Sequence, residues 1–301
     1  MSTKAKASLE QLRKIRTREA DRLNGFDNVV GTGLGQKKTK DKYTSAAAIV
    51  VYVSNKLSTQ ECGKHKIPET LKLGNIVVET DVIELTNIHN QHGEPPYFCS
   101  DDYQQGTVTA LCVKKPGKVY GATCTHCLTG EDDDPYTPDK IYLASQYDED
   151  FSYIGMSDEN PLDNNGFGLP GDYGFLDASL FTVEDNALKA KVDLFSTPMR
   201  FWNYPRKGTR VFLSLSKGRK VTGTINAVES ITDDFFVDVL IDIDYPGTFK
   251  GDSGGLWRTA NGNAVAVHCK GAGAHTSGGS SYSLCMYAHR MQRELGVEFR
   301  E

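Results

Sequence analysis

The sequence has little that would place it in a membrane or an export pathway. Residues 1–25 lack an apolar core of signal-peptide length. No other window approaches the roughly 20 apolar residues that a membrane-spanning helix needs. A strong positive charge is also missing, since the formal net charge is −5, which gives no reason to expect nucleic acid as the main partner. We therefore expect a cytoplasmic protein that binds neither membranes nor nucleic acid.

Cysteine is scarce and its number is odd, with seven among 301 residues. An odd number without a secretory signal argues against a disulfide framework, and we expect reduced thiols. Apolar residues make up 39% of the chain and charged residues 24%, as in ordinary soluble proteins. The length allows one large domain or two ordinary ones with a sizeable core.

One glycine-rich stretch, YPGTFKGDSGGL at Tyr245–Leu256, carries the strongest chemical signal. A nucleophilic serine needs a sharp turn that presents its hydroxyl beside backbone N–H groups. Glycines on both sides of Ser253 permit such a turn and a close approach of substrate to the backbone. The simpler alternative is a glycine-rich turn with a solvated serine.

Three short motifs together resemble the trypsin/chymotrypsin family of serine proteases. GDSGG at 251–255 resembles its nucleophile motif, GATCTHCL at 121–128 its histidine motif, and GDYGFL at 171–176 its aspartate motif. The resemblance implies that Ser253 is the nucleophile, His126 the general base and Asp172 the carboxylate that orients it. The order His, Asp, Ser is that of the chymotrypsin type. Asp177 is the competing carboxylate; residues five apart in a strand point to opposite faces, so the two should not share a role.

The resemblance also implies an oxyanion hole and a pocket for the residue before the scissile bond. The N–H groups of Gly251 and Ser253 would form the oxyanion hole. Gly247 stands where trypsin-type pockets carry an aspartate, so a preference for Lys or Arg has no carboxylate to support it.

The strand segment VAVHCKG at 265–271 resembles that of glutamyl endopeptidases, in which a hydroxyl and a histidine bind an acidic side chain. Thr248 and His268 match these positions, and Lys250 adds positive charge nearby. We therefore expect cleavage after Glu or Asp, with Gln as the runner-up. The alternative is that His268 simply packs inside the barrel.

The arrangement of short segments predicts the fold. From Gly106 onward, short apolar runs alternate with turn residues, which indicates a barrel or sandwich of strands. With the resemblance, this predicts a mainly β, chymotrypsin-like double β-barrel. We expect residues 96–190 to form a first barrel with His and Asp. Residues 191–301 should form a second barrel with Ser, ending in a helix over Cys285–Leu295.

Residues 1–95 are predicted to form an N-terminal αβ extension. Ser8–Leu23 carries an amphipathic helix pattern with a capping box between Ser8 and Gln11, and we expect the helix to pack on the body of the protein. Two apolar runs, Val29–Leu34 and Ala46–Val53, flank a lysine-rich turn and predict a β-hairpin.

Two rival functions remain open. The first is a catalytically silent, trypsin-like scaffold. The second is a zinc or redox site, because Cys124, His126 and Cys127 have CxxC spacing, and Cys269 with His275 would complete a ligand set. No second CxxC supports it, so we expect neither a metal nor a cofactor.

The last expectation concerns how the activity of the site is regulated. Secreted zymogens are activated by a new N-terminus that pairs with the Asp before the nucleophile, here Asp252, and no matching cleavage site is evident. We expect instead a regulatory protein that acts through the N-terminal extension.

Overall fold

A computed structural model describes residues 7–26, 28–39, 42–57, 66–86, 88–90, 98–100, 105–115, 118–128, 140–144, 151–157, 162–164, 176–195, 197–203, 205–215, 219–232, 236–276 and 278–301. Its helices are α1 (Leu9–Asn24), α2 (Asn186–Phe195) and α3 (Ala288–Leu295), and a 3-10 turn covers Thr125–Cys127. Its strands are β1 (Val29–Thr39), β2 (Lys42–Val53), β3 (Thr70–Leu73), β4 (Ile76–Glu84), β5 (His89–Asn90), β6 (Phe98–Ser100), β7 (Gln105–Gly106), β8 (Ala110–Lys115), β9 (Lys118–Thr123), β10 (Lys140–Ala144), β11 (Phe151–Ser157), β12 (Leu162–Asn164), β13 (Leu176–Val183), β14 (Arg210–Ser214), β15 (Lys220–Thr232), β16 (Phe236–Tyr245), β17 (Leu256–Arg258), β18 (Ala264–Ala272), β19 (Tyr282–Tyr287) and β20 (Glu298–Arg300).

The C-terminal half contains a closed barrel. Six strands follow each other in the order β14, β17, β18, β19, β16 and β15, and β15 pairs back with β14. Alternating apolar residues point inward, and the fully buried Trp257 lies in this core. The nucleophile segment connects β16 to β17, so the barrel fixes both of its ends.

A separate nine-stranded sheet forms the other half of the molecule, which we call the first lobe. Its strands follow the order β20, β8, β9, β13, β11, β10, β6 and β7, and β12 also pairs with β13. Its strand β20 comes from the C-terminus, where Phe299 is fully buried and pairs with Cys112 of β8. The chain therefore returns to the first lobe after completing the barrel. Strands β9 and β13 are direct neighbours, with Ser179 opposite Thr123. This pairing brings Asp177 of β13 next to His126, which follows β9.

The N-terminal extension is continuous with the barrel sheet. Strands β1 and β2 form the predicted antiparallel hairpin, β4 adds in parallel to β2, and β1 pairs with β15. Helix α1 begins with the predicted capping box of Ser8 and Gln11. It buries Leu12, Ile15 and Leu23 against the sheet. The prediction that this helix packs on the body is confirmed.

Helix α1 is also fastened to β15 through Glu229. Arg13 donates two hydrogen bonds to the Glu229 carboxylate, from Nε over 2.8 Å and from Nη2. Arg16 donates to its backbone carbonyl. Glu229 has a φ of 51°, a left-handed conformation that a glutamate adopts only when its surroundings hold it there. The two arginines supply that restraint.

The predicted fold class is confirmed: the chain is mainly β, with a closed six-stranded barrel, an N-terminal helix and a C-terminal helix, as in the chymotrypsin-like fold. The C-terminal helix begins at Ala288, not at Cys285, because residues up to Tyr287 complete the ladder between β19 and β18. Helix α2 was not predicted. Within the described residues, no helix is long and apolar enough to cross a membrane.

Candidate active site

His126 lies in a short 3-10 turn that follows directly after β9. The turn is closed by backbone bonds from Cys127 to Cys124 (3.1 Å) and from Leu128 to Thr125 (2.8 Å). The Thr125 hydroxyl contacts the Ser179 hydroxyl of β13 at 2.8 Å in the buried interior. The turn is thus held against β13, and the His126 side chain stands over that strand.

The carboxylate that contacts His126 belongs to Asp177. Its Oδ2 lies 2.5 Å from Nδ1 of His126, and its Oδ1 accepts the His126 backbone N–H over 3.1 Å. Asp172, which the sequence argument selected, lies outside the described residues. Asp177 contacts His126 because β13 runs beside β9 and brings Asp177 under the histidine, whereas the role expected of Asp172 stays a prediction.

Asp177 is an ionised carboxylate in a buried place. Burial by itself would raise the pKa of Asp177. The electrostatic attraction of His126 and the two hydrogen bonds from His126 outweigh burial, and the pKa of Asp177 is lowered. Such a carboxylate can hold one imidazole tautomer and stabilise the imidazolium that forms when the ring takes a proton.

The nucleophile turn depends on glycine at two positions. Gly251 and Gly254 both have a φ of 90°, and a Cβ at Gly254 would lie 1.9 Å from the Thr107 carbonyl. Thr107 donates its N–H to the Ser253 carbonyl (2.7 Å), and Thr109 donates its hydroxyl to the Gly254 carbonyl (2.7 Å). The first lobe therefore braces the turn that the second lobe supplies.

Asp252 is turned inward, away from the substrate side of the turn, and pairs with Arg219. The guanidinium donates to one carboxylate oxygen, and the Phe249 N–H donates to the other over 2.8 Å. Burial raises the pKa of Asp252 to about 6, and the charge of Arg219 opposes the rise. Sequence reasoning missed Arg219, which precedes β15 and carries no motif that would reveal its partner.

The Ser253 hydroxyl donates to the Cys269 carbonyl over 2.8 Å, and Ser253 is fully buried. Within the described chain, Nε2 of His126 is buried and has no hydrogen-bond partner. Cys127, the residue after His126, contacts the serine turn, since its Sγ lies 3.8 Å from the Ser253 carbonyl. No acceptor among the described residues takes the N–H of Gly251 or Ser253.

The predicted pocket residues occupy the barrel near this turn. Thr248 and His268 are fully buried, whereas Lys250 is exposed. Nδ1 of His268 lies 2.6 Å from the Ser283 hydroxyl, which also accepts the indole N–H of Trp257 over 3.0 Å. His268 is therefore held in one orientation by a polar group inside the barrel.

The cysteines near the site are free thiols. Cys112 directs its thiol to the Tyr120 carbonyl at 3.4 Å. Cys124 contacts the thiols of Cys127 and Cys269. The ligand atoms of Cys124, His126 and Asp177 lie within 4.8 Å of one another.

Solved structures similar to this chain are chymotrypsin-like serine proteases. One is described as a glutamic acid-specific serine protease that uses a histidine triad in substrate binding; it is 19% identical, with a TM-score of 0.43, and the match covers 68% of this chain and 97% of that one. Thermobifida fusca protease A is 16% identical, with a TM-score of 0.40 and coverage of 70% and 95%. Nocardiopsis protease is 17% identical, with a TM-score of 0.41 and coverage of 66% and 92%.

No protein-family model matches the chain, and no curated protein matches it.

Proposed function

We propose that this chain is a serine endopeptidase in which Ser253, His126 and Asp177 form the catalytic triad. The observation that carries the proposal is the pair of His126 and Asp177, joined over 2.5 Å between ring nitrogen and carboxylate. This pair lies beside a serine turn whose two glycines have left-handed φ angles. A histidine oriented by a buried carboxylate next to a serine turn is the arrangement that acyl transfer through serine requires.

The steps follow from the positions of these groups. Ser253 Oγ attacks the scissile carbonyl while Nε2 of His126 takes its proton. Asp177 accepts the hydrogen bond from Nδ1 and stabilises the imidazolium. The N–H groups of Gly251 and Ser253 receive the oxyanion, and His126 then protonates the leaving amine. Water repeats the sequence and releases the acyl group. One oxyanion donor typically contributes about 3 kcal/mol to lowering the barrier.

The attack requires a rotation of the Ser253 side chain. Its hydroxyl now donates to the Cys269 carbonyl, and a turn about the Cα–Cβ bond brings it towards Nε2 of His126. Staggered rotamers of serine interconvert easily, so the loss of this hydrogen bond is the main cost, about 1 kcal/mol. We propose that the present arrangement is the resting state.

We propose further that the enzyme cleaves after Glu or Asp. Ser283 supports this, because it can accept from Nδ1–H of His268 while it also accepts from Trp257 and donates to the thiol of Cys285, 3.0 Å away. A histidine supported in this way can carry a proton on both nitrogens, and an imidazolium favours an anionic side chain over Gln.

A positional library of peptides tests the activity and the preference together. We expect cleavage after Glu and Asp by the wild type and none by Ser253→Ala. His268→Ala should lose the acidic preference by about 10-fold or more, since a charge-assisted hydrogen bond contributes about 1.5–3 kcal/mol. Lys42→Ala, at an exposed lysine of β2, is the control. Dominant cleavage after Lys, Arg or large apolar residues would refute the specificity.

A catalytically silent scaffold is the second candidate, and one observation favours it. Ser253 is fully buried, with its hydroxyl on a carbonyl instead of on His126. A silent protein would retain binding of peptides with an acidic residue while hydrolysing none. Isothermal titration with such a peptide, beside the cleavage assay, separates the two functions.

We also propose that a protein partner regulates the site through the N-terminal extension. Support comes from the continuous path from α1 through Glu229 and β15 to β16, which leads into the nucleophile segment at Tyr245. Arg16→Ala should loosen this path and change the rate of cleavage more than the affinity for substrate. Unchanged kinetics in a folded Arg16→Ala variant would remove the extension as the route of control.

A further inference from the structure

The CxxC segment that contains His126 has chemistry that the triad does not use. The sulfur of Cys124, a ring nitrogen of His126 and a carboxylate oxygen of Asp177 lie within 4.8 Å of one another. Cys124 and Asp177 are buried, and the His126 side chain is 13% exposed. These are sulfur, nitrogen and oxygen donors of the kinds that zinc binds.

We propose that Cys124, His126 and Asp177 form an inhibitory binding site for Zn²⁺ and related soft divalent metals. Tetrahedral zinc sites with three protein ligands leave a fourth position for water. The partly exposed side of His126 provides that position and the path of entry. Zn–S bonds are about 2.3 Å and Zn–N and Zn–O bonds about 2.0 Å, so the three donors reach one ion through small side-chain movements.

The charges of such a site balance. The thiol of Cys124 releases its proton and binds as a thiolate, Asp177 binds as a carboxylate, and His126 binds as neutral imidazole. Two negative ligands and one neutral ligand cancel the charge of a divalent ion. A net charge of zero is what a buried site tolerates best. The thiols of Cys127 and Cys269, which contact Cys124, surround the bound sulfur with further soft groups.

Metal binding would stop catalysis because it fixes His126 in the wrong tautomer. The metal takes the Nδ1 lone pair, which in the triad is occupied by the proton shared with Asp177. The neutral ring must then carry its proton on Nε2. Nε2 is the nitrogen that receives the Ser253 proton, so a metallated His126 is no longer a base. This consequence rests on the proposed function, whereas the binding itself does not.

A binding measurement tests the site without any reference to activity. Purified protein is titrated with Cd²⁺, whose thiolate complexes absorb in the ultraviolet, and Zn²⁺ competes in a second titration. We expect one equivalent to bind through Cys124. Cys124→Ala should weaken the affinity by more than about 100-fold, because even residues outside the ligand shell change metal affinity 10- to 100-fold.

Cys112→Ala is the matched control, because Cys112 is an equally buried thiol in the same lobe that contacts the Tyr120 carbonyl. It should bind Cd²⁺ like the wild type. If Cys124→Ala does not give a cooperative melting curve, Cys124→Ser replaces it, and it should show the same loss. A cadmium signal that is absent in the wild type, or unchanged in the folded Cys124 variant, would overturn the site.

The inhibitory consequence has its own measurement. Zn²⁺ should abolish peptide cleavage by the wild type, and a chelator should restore it, with no such effect on the remaining activity of the Cys124 variant. Metal that binds without lowering activity would refute the inhibition. A protein that binds metal but cleaves no peptide under any condition refutes the proposed protease function and leaves the metal site supported.

Discussion

In the proposed triad, the residue that orients His126 is Asp177. It contacts both the backbone and the ring of His126, and it is buried. The sequence contains a signal for this residue. Asp177 is a lone charge within an otherwise apolar strand, LDASLFTV. A buried charge in such a strand needs a partner, and the neighbouring strand β9 leads directly to His126.

The first prediction compares the two carboxylates. Asp177→Asn should reduce kcat about 10⁴-fold, because an amide favours the wrong imidazole tautomer. Asp172→Asn is the comparison variant and should change kcat less than about twofold, because the proposed triad does not use Asp172. Steady-state kinetics on both variants gives the answer. A larger loss in Asp172→Asn would return the role to the original assignment.

The second prediction concerns the ion pair behind the nucleophile. The pKa of Asp252 is raised to about 6, first by burial. Since the folded pKa exceeds the unfolded one, its contribution to stability is present below about pH 4 and is lost as the pH rises through 6. Arg219 compensates for that loss. Arg219→Met should therefore destabilise the protein by about 3–5 kcal/mol at pH 8, where a buried carboxylate is left unpaired.

At pH 4 the same substitution should cost much less, because Asp252 is then protonated and needs no cation. Arg258→Met is the control, since Arg258 pairs with Glu301 at a partly exposed site and should cost about 0–1 kcal/mol at either pH. Urea unfolding at the two pH values measures the difference. Equal costs for Arg219→Met at pH 4 and pH 8 would contradict the role of the pair.

At the scale of elements, the sequence predicted what is local. The capping box of Ser8 and Gln11, the hairpin of β1 and β2, and the alternating strands of the barrel all follow from short-range patterns. Long-range relations did not follow. The pairing of β1 with β15, and the return of β20 to β8, join segments about 190 residues apart, and periodicity carries no information on such partners.

Two local features were also missed at this scale. Helix α2 begins after Asp185, whose carboxylate accepts the Leu188 N–H over 2.8 Å. An aspartate before the segment LKAKVDLF is an N-cap signal, and it could have predicted this helix from the sequence. The last three residues of β19, Cys285–Tyr287, were expected to begin the C-terminal helix. The ladder to β18 overrides that expectation.

The third prediction concerns the docking of helix α1. Ile15 is fully buried in the core that the helix shares with the sheet. Ile15→Ala should lower the free energy of unfolding by about 2–5 kcal/mol, through lost burial and the cavity left behind. Leu9→Ala on the same helix is the control, because Leu9 is 40% exposed and should cost less than about 1 kcal/mol. Equal effects in chemical denaturation would mean that the helix is not part of the cooperative core.

At the scale of the whole molecule, the site depends on two lobes that brace each other. The first lobe supplies His126 and Asp177, and the barrel supplies Ser253. Thr107 and Thr109 of the first lobe bond to carbonyls of the serine turn. The C-terminal strand β20 ties the lobes together a second time. The described thiols are free, so the contacts between the lobes in the described part of the chain are packing and hydrogen bonds.

The fourth prediction follows from these free thiols. Activity should be unchanged in millimolar dithiothreitol, because the described thiols are buried and form no disulfide with one another. Peptide cleavage before and after reduction, with thiol counting under denaturing conditions, measures this. A loss of activity on reduction that reoxidation reverses would show that a disulfide is required, with Cys112 and Cys127 as the first pair to examine.

The fifth prediction concerns the central claim, that Ser253 is a nucleophile activated by His126. The most direct measurement is the rate of covalent labelling by a fluorophosphonate probe, with the modified peptide identified by mass spectrometry. We expect one label on Ser253 in the wild type, none in Ser253→Ala, and labelling slowed by several orders of magnitude in His126→Ala. Equal labelling of Ser253→Ala and the wild type, or no labelling of a folded wild-type protein, would contradict it.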